Sequence, residues 1–273
     1  MISVFSVMND EKIAKEYLLR GLSRQTTKYE LFMIDNRASK YMTASQANNV
    51  MSDKASGDYL MFMHQDVLLP SRDWLKIAEN WLSTQSRIGV AGVAGMIKPK
   101  LVDQREACLR YYLLQKLGKL SLWFQRYGRG NVLHGVEAVP WGGRFISDIA
   151  SVQTVDEAVL IIPTDVFDST RFDETTCSDW DLYGVDFALT ASQKGYKAYV
   201  LPCSVFHRSI GRHKSTGGFC DAYIRTLAGI IEKHKREKVI NTTSGLCPTK
   251  KELMELFWKP GSKRTHDVIR ALT

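Results

Sequence analysis

The cysteine pattern of a disulfide framework or a zinc site is missing from this sequence. Its 273 residues include five cysteines, and no two of them form a C-x-x-C pair. An odd and scattered set does not build a disulfide framework, and structural zinc sites need closely spaced ligands. The cysteines therefore indicate a reducing compartment, and we expect a cytoplasmic protein.

Long apolar runs are missing as well. No apolar segment approaches the roughly 18 residues that a membrane-spanning helix needs. No basic segment or cleavage site precedes the first strand-like run, residues 2–7, so we expect no signal peptide. Internal repeats and low-complexity segments are also absent, as in an ordinary globular protein.

Acidic residues are scarce towards the C-terminus. The whole chain has a net charge of +8, and residues 233–273 hold ten Lys/Arg against four Asp/Glu, a net of +6. A basic tail favours an anionic partner, and a terminal Trp258 with basic flanks fits peripheral contact with a membrane. A solvated, packed helix explains the same residues. No interleaved aromatic and basic surface supports nucleic acid, so we expect no nucleic-acid partner.

Strand-like and helical patterns alternate over the first hundred residues. With 44% apolar residues, the chain can bury a substantial core. Alternation at short spacing predicts βαβ units, and hence an α/β fold with a mostly parallel, Rossmann-like central sheet flanked by helices. The predicted strands are residues 2–7, 30–34, 59–63 and 88–92, and the predicted helices are residues 10–22, 43–55 and 71–83.

The pattern becomes irregular after residue 96 and recovers near residue 152. Residues 127–144 contain five glycines and a proline, which predicts an irregular loop over a cleft. We expect one domain over residues 1–215, in two halves (1–98 and 99–215), and a basic helical extension over 216–273. Further predicted elements are helices at 109–122, 164–167 and 180–194, strands at 155–163, 196–200 and 205–207, a basic loop at 211–218, and tail helices at 221–235 and 250–258.

Polar side chains stand at the ends of three successive predicted strands. Ser6 lies near the end of the first, Asp35 follows the second, and the apolar third strand ends abruptly in His64-Gln65-Asp66. The carboxyl ends of parallel strands form the edge where ligands bind in open α/β sheets. There Asp35 can accept the imide N–H of uracil or thymine, and Asp66 can ligate Mg²⁺ or Mn²⁺ between two phosphates. An aspartate after a strand is also a common turn or helix cap.

The order of several motifs resembles the GT-A glycosyltransferases of the large family 2 group. The resemblance covers roughly residues 1–210, and His64-Gln65-Asp66 falls where that family has its D-x-D motif. The other matching segments are residues 2–9, residues 30–36, Ala47-Asn48-Asn49 with residues 55–59, residues 155–158, Phe172-Asp173-Glu174, Gly195-Tyr196 and His207.

The resemblance implies a GT-A fold with a nucleotide-binding half (1–98) and an acceptor-side half (99–215). It also implies a nucleotide-sugar donor and an inverting transfer. A divalent cation, Mn²⁺ or Mg²⁺, neutralises the diphosphate in such enzymes, and a carboxylate deprotonates the acceptor hydroxyl. It further implies that Asp66 and His207 hold the metal. The residues expected to bind the nucleotide sugar are Ser6, Val7, Asp35, Asn49, His64, Gln65 and Asp66, and those expected on the acceptor side are Asp156, Glu157 and Trp180.

Two departures from the family pattern affect the chemistry. The motif is H-x-D, and His64 can hydrogen-bond a ribose hydroxyl, ligate a transition ion or simply cap its strand. The family's catalytic base would fall on Gly184, so the nearest carboxylates, Asp186 first and Asp181 second, become the candidates. Five residues apart on a helix, these two do not share a face. Asp186 also fits a helix N-terminal carboxylate without a catalytic role.

The sequence thus predicts a metal-dependent hexosyltransferase. We expect transfer with inversion from a UDP- or dTDP-sugar to a glycan or lipid-linked acceptor, in surface polysaccharide synthesis at the inner face of the membrane. The alternative is a degenerate transferase that binds a nucleotide sugar or glycan without catalysis, which Gly184 supports. A sugar-1-phosphate nucleotidyltransferase needs a glycine-rich basic loop after the first strand, and residues 6–11 contain none.

Overall fold

The computed structural model describes residues 1–100, 103–209, 221–251 and 253, and it confirms the alternation of the first hundred residues. Among them, a π-helical turn (Lys15–Leu19) joins α1 (Glu11–Ala14) to α2 (Arg20–Leu22). The other helices are α3 (Ala44–Ser52), α4 (Trp74–Ser83), α5 (Gln104–Lys116), α6 (Ser121–Tyr127), α7 (Thr164–Thr170), α8 (Tyr183–Gln193) and α9 (Asp221–Lys233). The strands are β1 (Ile2–Met8), β2 (Tyr29–Asp35), β3 (Tyr59–Met63), β4 (Val67–Leu68), β5 (Ile88–Gly92), β6 (Ala94–Met96), β7 (Gly128–Gly130), β8 (Val132–His134), β9 (Val139–Trp141), β10 (Ala150–Val152), β11 (Thr154–Val155), β12 (Val159–Pro163), β13 (Lys197–Val200), β14 (Val205–His207), β15 (Val239–Thr242) and β16 (Gly245–Pro248).

Seven strands form the central sheet, in the order β10-β13-β5-β12-β3-β1-β2. β1 lies between β2 and β3 and is parallel to both, and β13 is parallel to β5. β12 runs antiparallel to both β3 and β5, and β10 runs antiparallel to β13. Only β10 and β12 thus run opposite to the other five strands, so the sheet is mostly parallel, as predicted. The carboxyl ends of β1, β2 and β3 share one edge.

Helices cover both faces of this sheet because successive strand residues point to opposite sides. In β3, Phe62 joins a core layer with α7, α8 and α9, whereas Met61 joins the opposite layer with α2 and α4. The central strands are apolar on both faces for this reason. Residues of α9 belong to the same hydrophobic core cluster as residues of the central sheet. The division into domains stays a prediction.

Two predicted helix starts have side-chain caps. The side chain of Asp10 accepts a hydrogen bond from the backbone N–H of Ile13 at 3.0 Å, and Thr43 Oγ1 accepts one from Gln46 N at 3.1 Å. Such caps satisfy backbone donors that the first turn leaves without helical partners. The sequence signal therefore located both starts to within a residue.

Three expectations for the middle of the chain were wrong. The single helix predicted at 109–122 is two helices, α5 and α6, because Gly118 adopts a φ of +67° between them. The glycine-rich segment 127–144 contains the short strands β7, β8 and β9, and the strand predicted at 155–163 is interrupted by a turn between β11 and β12. The hairpin of β15 and β16 was not predicted, and the loop 211–218 lies outside the described residues, as does most of the helix 250–258.

A small second sheet supports one end of the central sheet. Its order is β4-β14-β8-β9, and β4 follows the His64-Gln65-Asp66 motif directly. Antiparallel pairing sets His207 opposite Val67, one residue after the motif. This pairing brings β14, from the end of the matched region, next to the end of β3.

No helix in the part of the chain that the structure describes is long and apolar enough to cross a membrane. Cys108, Cys177, Cys203 and Cys247 are buried and have free thiols.

Phe62 sits at the centre of an aromatic cluster, with ring centroids 5.1 Å from Phe5, 5.1 Å from Phe167 and 5.0 Å from Phe172. We expect Phe62→Ala to lower the free energy of unfolding by about 3–5 kcal/mol, because it leaves a cavity under the sheet edge. Urea unfolding measures this, with Phe145→Ala, at a side chain that is 42% exposed, as the matched control. Equal effects of the two substitutions would contradict the assignment of Phe62 to the core.

Candidate functional site

Three side chains converge where β3 meets the small sheet. His64, Asp66 and His207 each offer one ligand atom, and these atoms all lie within 4.8 Å of one another. His207 Nε2 is 3.4 Å from Asp66 Oδ1, and the rings of His64 and His207 are 5.6 Å apart in an edge-to-face arrangement. The backbone N–H of Ser209 donates to Asp66 Oδ2 at 3.1 Å. The structure thus brings together the two predicted metal ligands and the histidine of the H-x-D motif.

The electrostatics of this cluster favour an ionised carboxylate beside a neutral imidazole. Burial acts to raise the pKa of Asp66, but the hydrogen bond from His207 and the charges of both histidines outweigh it and bring this pKa to about 2. Burial lowers the pKa of His64, and the positive charge of His207 lowers it further. An ionised carboxylate and a neutral imidazole are the forms that bind metal ions.

One ring nitrogen of the cluster is buried without a hydrogen-bond partner in the part of the chain that the structure describes, which favours metal binding. His207 Nδ1 is buried and has no hydrogen-bond partner among the residues described. A buried polar atom without a partner costs free energy, so an unpaired ring nitrogen points to a ligand. A mixed set of imidazole and carboxylate suits divalent transition ions such as Mn²⁺. These residues therefore fit a divalent cation.

Asp35 lies at the same edge of the sheet, at the end of β2. Its carboxylate is half-exposed and accepts hydrogen bonds from Arg37, with Arg37 Nη2 at 2.5 Å and Nε at 2.9 Å. These bonds lower the pKa of Asp35 to about 2. Arg37 also reaches Glu11 at 3.2 Å and lines an open cleft of about 720 Å³ together with Asn9, Asp10, Lys12, Lys15 and Glu16.

Gln65 ties the end of β3 to the end of β1. Its Oε1 accepts from the backbone N–H groups of Asn9 and Asp10, at 2.9 and 3.0 Å, and its Nε2 donates to Asn9 Oδ1. Val7 is half-buried against the core, and Ser6 Oγ is buried without a hydrogen-bond partner in the described part of the chain. Gln65 therefore holds the H-x-D motif beside the cleft that Arg37 lines.

The carboxylates that we expect on the acceptor side form a second cluster next to the first. The backbone N–H of His64 donates to Ala158 O at 3.1 Å, so the turn between β11 and β12 runs beside the motif. In that turn, Asp156 Oδ2 accepts from Thr243 Oγ1 at 2.9 Å. Burial raises the pKa of Glu157 well above its usual value, and the charges of Asp156 and Asp181 raise it further. Glu157 Oε1 is sealed from solvent and unpaired within the described residues.

Gly184 explains how Glu157 reaches this place. A Cβ at position 184 would lie 3.2 Å from Glu157 Cγ and 3.1 Å from Leu160 Cδ1. Such contacts are tighter than a well-packed interior tolerates without movement. The side chain of Glu157 thus occupies the space beside the helix position where the family pattern has its carboxylate.

Asp186 is placed differently from the expectation. Its carboxylate is buried in the first turn of α8 and accepts from Lys233 Nζ and His234 Nε2, both at 2.8 Å. Lys233 also bonds Asp173 at 2.8 Å, and these contacts join α8 to α9. The geometry gives Asp186 a structural environment, and its role as catalytic base stays a prediction.

Two other expected residues are engaged elsewhere. The side-chain amide of Asn49 donates to Phe172 O and to Glu174 Oε1, both at 2.9 Å, and its carbonyl accepts from Phe172 N at 3.1 Å. Trp180 packs half-buried against the core layer that contains α8. Asn49 therefore links α3 to the segment after α7 by hydrogen bonds. The structure does not bring Asn49 to the histidine cluster.

Sequence reasoning missed His134. β8 pairs with β14 so that His134 stands opposite His207, and the two rings are 5.2 Å apart. Trp141 of β9 stacks on His134 at 5.1 Å. The three-residue strand is too short to show a period of two, so the only available signal was a histidine after two apolar residues in a segment rich in glycine.

A model of the glycosyltransferase-like family matches residues 3–206 of the chain. No curated protein sequence matches the chain. Solved structures that share its fold include the three that follow. The mannosyltransferase PcManGT from Pyrobaculum calidifontis, in complex with GDP-Man and Mn²⁺, is 13% identical, with a TM-score of 0.53, over 99% of this chain and 69% of that chain.

The other two structures are similarly distant. TarS 1–349 from S. aureus, in complex with UDP-GlcNAc, is 14% identical, with a TM-score of 0.51, over 99% of this chain and 71% of that chain. GalNAc-T7 with UDP, GalNAc and Mn²⁺ is 12% identical, with a TM-score of 0.53, over 85% of this chain and 47% of that chain, so the match spans about half of its length. These similarities confirm the predicted GT-A fold.

The buried carboxyl of Glu157 makes stability depend on pH in a direction that can be measured. The unfolded chain releases this proton near pH 4.5, whereas the folded protein retains it to higher pH. Stability therefore falls as the pH rises through that window, by at most about 1.4 kcal/mol per pH unit. We expect Glu157→Gln to remove this loss, so that its advantage over the wild type grows with pH.

Unfolding in urea between about pH 4 and pH 8 tests this sign. The matched control is Glu137→Gln, at an exposed carboxylate. A stability difference between Glu157→Gln and the wild type that shrinks with rising pH would refute the buried, protonated state of Glu157.

Proposed function

Because the chain belongs to the glycosyltransferase-like family, we propose that it transfers a hexose from a UDP- or dTDP-sugar, with inversion, to a glycan or lipid-linked acceptor. The observation that carries this proposal is the convergence of His64, Asp66 and His207 at the sheet edge where Asp35 also ends. In open α/β sheets this edge binds ligands. An acceptor of this kind fits a role in surface polysaccharide synthesis.

Divalent metal ions fit the histidine cluster, and His64, Asp66 and His207 would hold one. When bound, it supplies positive charge that neutralises the diphosphate leaving group. Two imidazoles favour Mn²⁺ over Mg²⁺, which prefers oxygen ligands. The ionised Asp66 and the neutral His64 are ready for this role without a change of protonation.

Asp35 is the proposed reader of the base. Uracil and thymine both present an imide N–H, and an ionised carboxylate is a strong acceptor for it. The same carboxylate now accepts from Arg37, so donor binding exchanges one hydrogen-bond partner for another. Arg37 is then free to turn towards the cleft beside the start of α1 that it already lines.

Glu157 is the proposed catalytic base, with Asp181 as the second candidate. An acceptor hydroxyl would supply the donor that the unpaired Oε1 of Glu157 lacks. A raised pKa makes an ionised carboxylate a stronger general base, because it then holds the proton that it accepts more tightly. Asp156 and Asp181 sustain that pKa through their charges. In its ionised form, Glu157 takes the hydroxyl proton while the acceptor oxygen attacks the anomeric carbon from the face opposite the diphosphate, and the bond from that carbon to the diphosphate breaks.

A second candidate function is binding of a nucleotide sugar or glycan without catalysis. Gly184, in place of the carboxylate of the family pattern, favours it. The two candidates share the donor site and differ only in turnover.

Donor binding is tested by thermal unfolding with UDP-, dTDP- and GDP-sugars, with and without Mn²⁺. We expect a UDP- or dTDP-hexose with Mn²⁺ to raise the midpoint by about 5 °C at a concentration well above Kd. Asp66→Asn should abolish the Mn²⁺-dependent part, whereas Asp148→Asn, at an exposed position, should leave it unchanged. If no nucleotide sugar moves the midpoint of the wild type, both candidate functions fail.

The base assignment is tested by transfer to acceptor or hydrolysis of the preferred donor. We expect Glu157→Gln to lower the rate by about 10²–10⁴-fold with donor binding intact, because removing a general base acts on the transition state. Glu137→Gln is the control for the amide substitution. Asp186→Asn should lower the unfolding midpoint, because it weakens the contacts with Lys233 and His234. The transfer rate of the folded variant should change much less than that of Glu157→Gln.

A folded Asp186→Asn variant without activity, beside an active Glu157→Gln, would return the base to Asp186. A wild type that binds donor but transfers to no acceptor and hydrolyses none would favour the non-catalytic candidate.

A further inference from the structure

The helical hairpin formed by α5 and α6, residues 104–127, carries apolar side chains that the fold leaves uncovered. One face of α5 packs into the protein through Ala107, Cys108 and Tyr111. Leu109, Leu113 and Leu117 follow one another at intervals of four and are 42%, 47% and 66% exposed. At about 100° per residue they form a stripe on the side of α5 opposite the packed face. α5 therefore has two apolar faces, of which one is buried and one is not.

Helix α6 extends this exposed face. Its Trp123 and Tyr127 pack inward, while Leu122 is 48% exposed. Leu113 and Leu122 line one open groove of about 440 Å³ between the two helices. The leucines of both helices thus form one continuous surface, which we call the leucine face (Leu109, Leu113, Leu117 and Leu122).

Basic side chains border the leucine face. Residues 104–127 contain five Lys/Arg and a single acidic residue, a net charge of +4. Arg110 and Lys116 flank the stripe on opposite sides of α5, and Arg126 borders the groove one turn beyond Leu122. The single glutamate, Glu106, pairs with Arg110 at 2.7 Å. Long basic side chains beside apolar ones can bury their stems and keep their charges in a polar layer.

This combination selects one kind of occupant. A second copy of the chain would set one +4 surface against another, and the repulsion disfavours a symmetric dimer through this face. A neutral apolar partner would leave the arginines and lysines unpaired. An anionic lipid surface offers an acyl layer to the leucines and phosphate groups to the cations at the same time.

We propose that the leucine face of the hairpin docks on a membrane surface that contains anionic lipid. The face lies in the interface, with the leucines in the acyl boundary and Arg110, Lys116 and Arg126 at the level of the phosphates. This proposal does not depend on the proposed transferase activity, because its partner is the lipid surface and not the donor. It also differs from contact through the C-terminal tail, because Leu253 belongs to the buried cluster on the inner face of the hairpin, and the leucine face lies on the opposite side of α5.

Co-sedimentation of the full chain with vesicles tests the proposal. We expect binding to phosphatidylcholine vesicles that contain phosphatidylglycerol, weaker binding at higher ionic strength, and little binding to phosphatidylcholine alone. Leu113→Ser with Leu117→Ser should weaken binding by about tenfold or more, because it removes apolar area from the contact. The matched control is Met42→Ser with Val50→Ser, at side chains that are 70% and 48% exposed elsewhere.

A second set of variants probes the charges independently. Arg110→Gln, Lys116→Gln and Arg126→Gln together should weaken binding by about a hundredfold, at about fivefold per cation. Lys28→Gln, Lys54→Gln and Lys76→Gln remove the same charge from exposed positions outside the hairpin and should weaken it much less. Circular dichroism and unfolding midpoints confirm that each variant folds, as its exposed positions predict.

Several results would overturn the proposal. They are no binding to anionic vesicles, equal binding to neutral ones, or equal losses in the hairpin variants and their controls. Retention of binding in the leucine variant together with its loss in Phe257→Ser with Trp258→Ser would assign the contact to the tail. A dimer in light scattering that the leucine variant dissolves would assign the face to a second copy.

Discussion

The pairing of β4 with β14 is the interaction on which the candidate site depends. β4 follows Asp66 at once, and its antiparallel register sets His207 opposite Val67. The backbone N–H of Arg208 donates to the backbone carbonyl of Asp66 at 3.0 Å, so the hydrogen-bond ladder continues to Asp66. Two side chains 141 positions apart in the sequence are thereby held 3.4 Å apart. Without this two-residue strand, the H-x-D motif would end in solvent.

The rest of the site is arranged around that pairing by burial and charge. The turn after β11 is hydrogen-bonded to His64 and delivers Glu157, while Gly184 leaves the room that Glu157 needs. On α8 the other carboxylate, Asp186, accepts hydrogen bonds from Lys233 and His234 and so links α8 to α9. Two acidic residues near one helix start thus face opposite electrostatic surroundings, and such a contrast separates a candidate base from a structural anion.

Local patterns predicted the parts of this fold that local forces decide. The strands Tyr59–Met63 and Ile88–Gly92 have the predicted bounds, because continuous apolar runs between turn residues mark buried strands. The order of motifs also predicted that Asp66 and His207 meet. The features that local patterns could not predict depend on residues far away in the sequence. Lys233 and His234, which lie 47 and 48 positions after Asp186 in the sequence, set its environment. β8 forms between two other short strands, β14 and β9. Neither set of partners is visible in a sequence window, so the surroundings of Asp186 and the position of His134 could not be predicted.

The central claim is that His64, Asp66 and His207 form one divalent-cation site. Anomalous diffraction at the manganese edge, from crystals grown with Mn²⁺ and a uridine diphosphate sugar, tests it most directly. The account predicts one strong peak within coordination distance of Asp66 and His207, lost in His207→Ala. A manganese peak bound elsewhere on the chain, with these three side chains hydrogen-bonded only to protein and water, would contradict it.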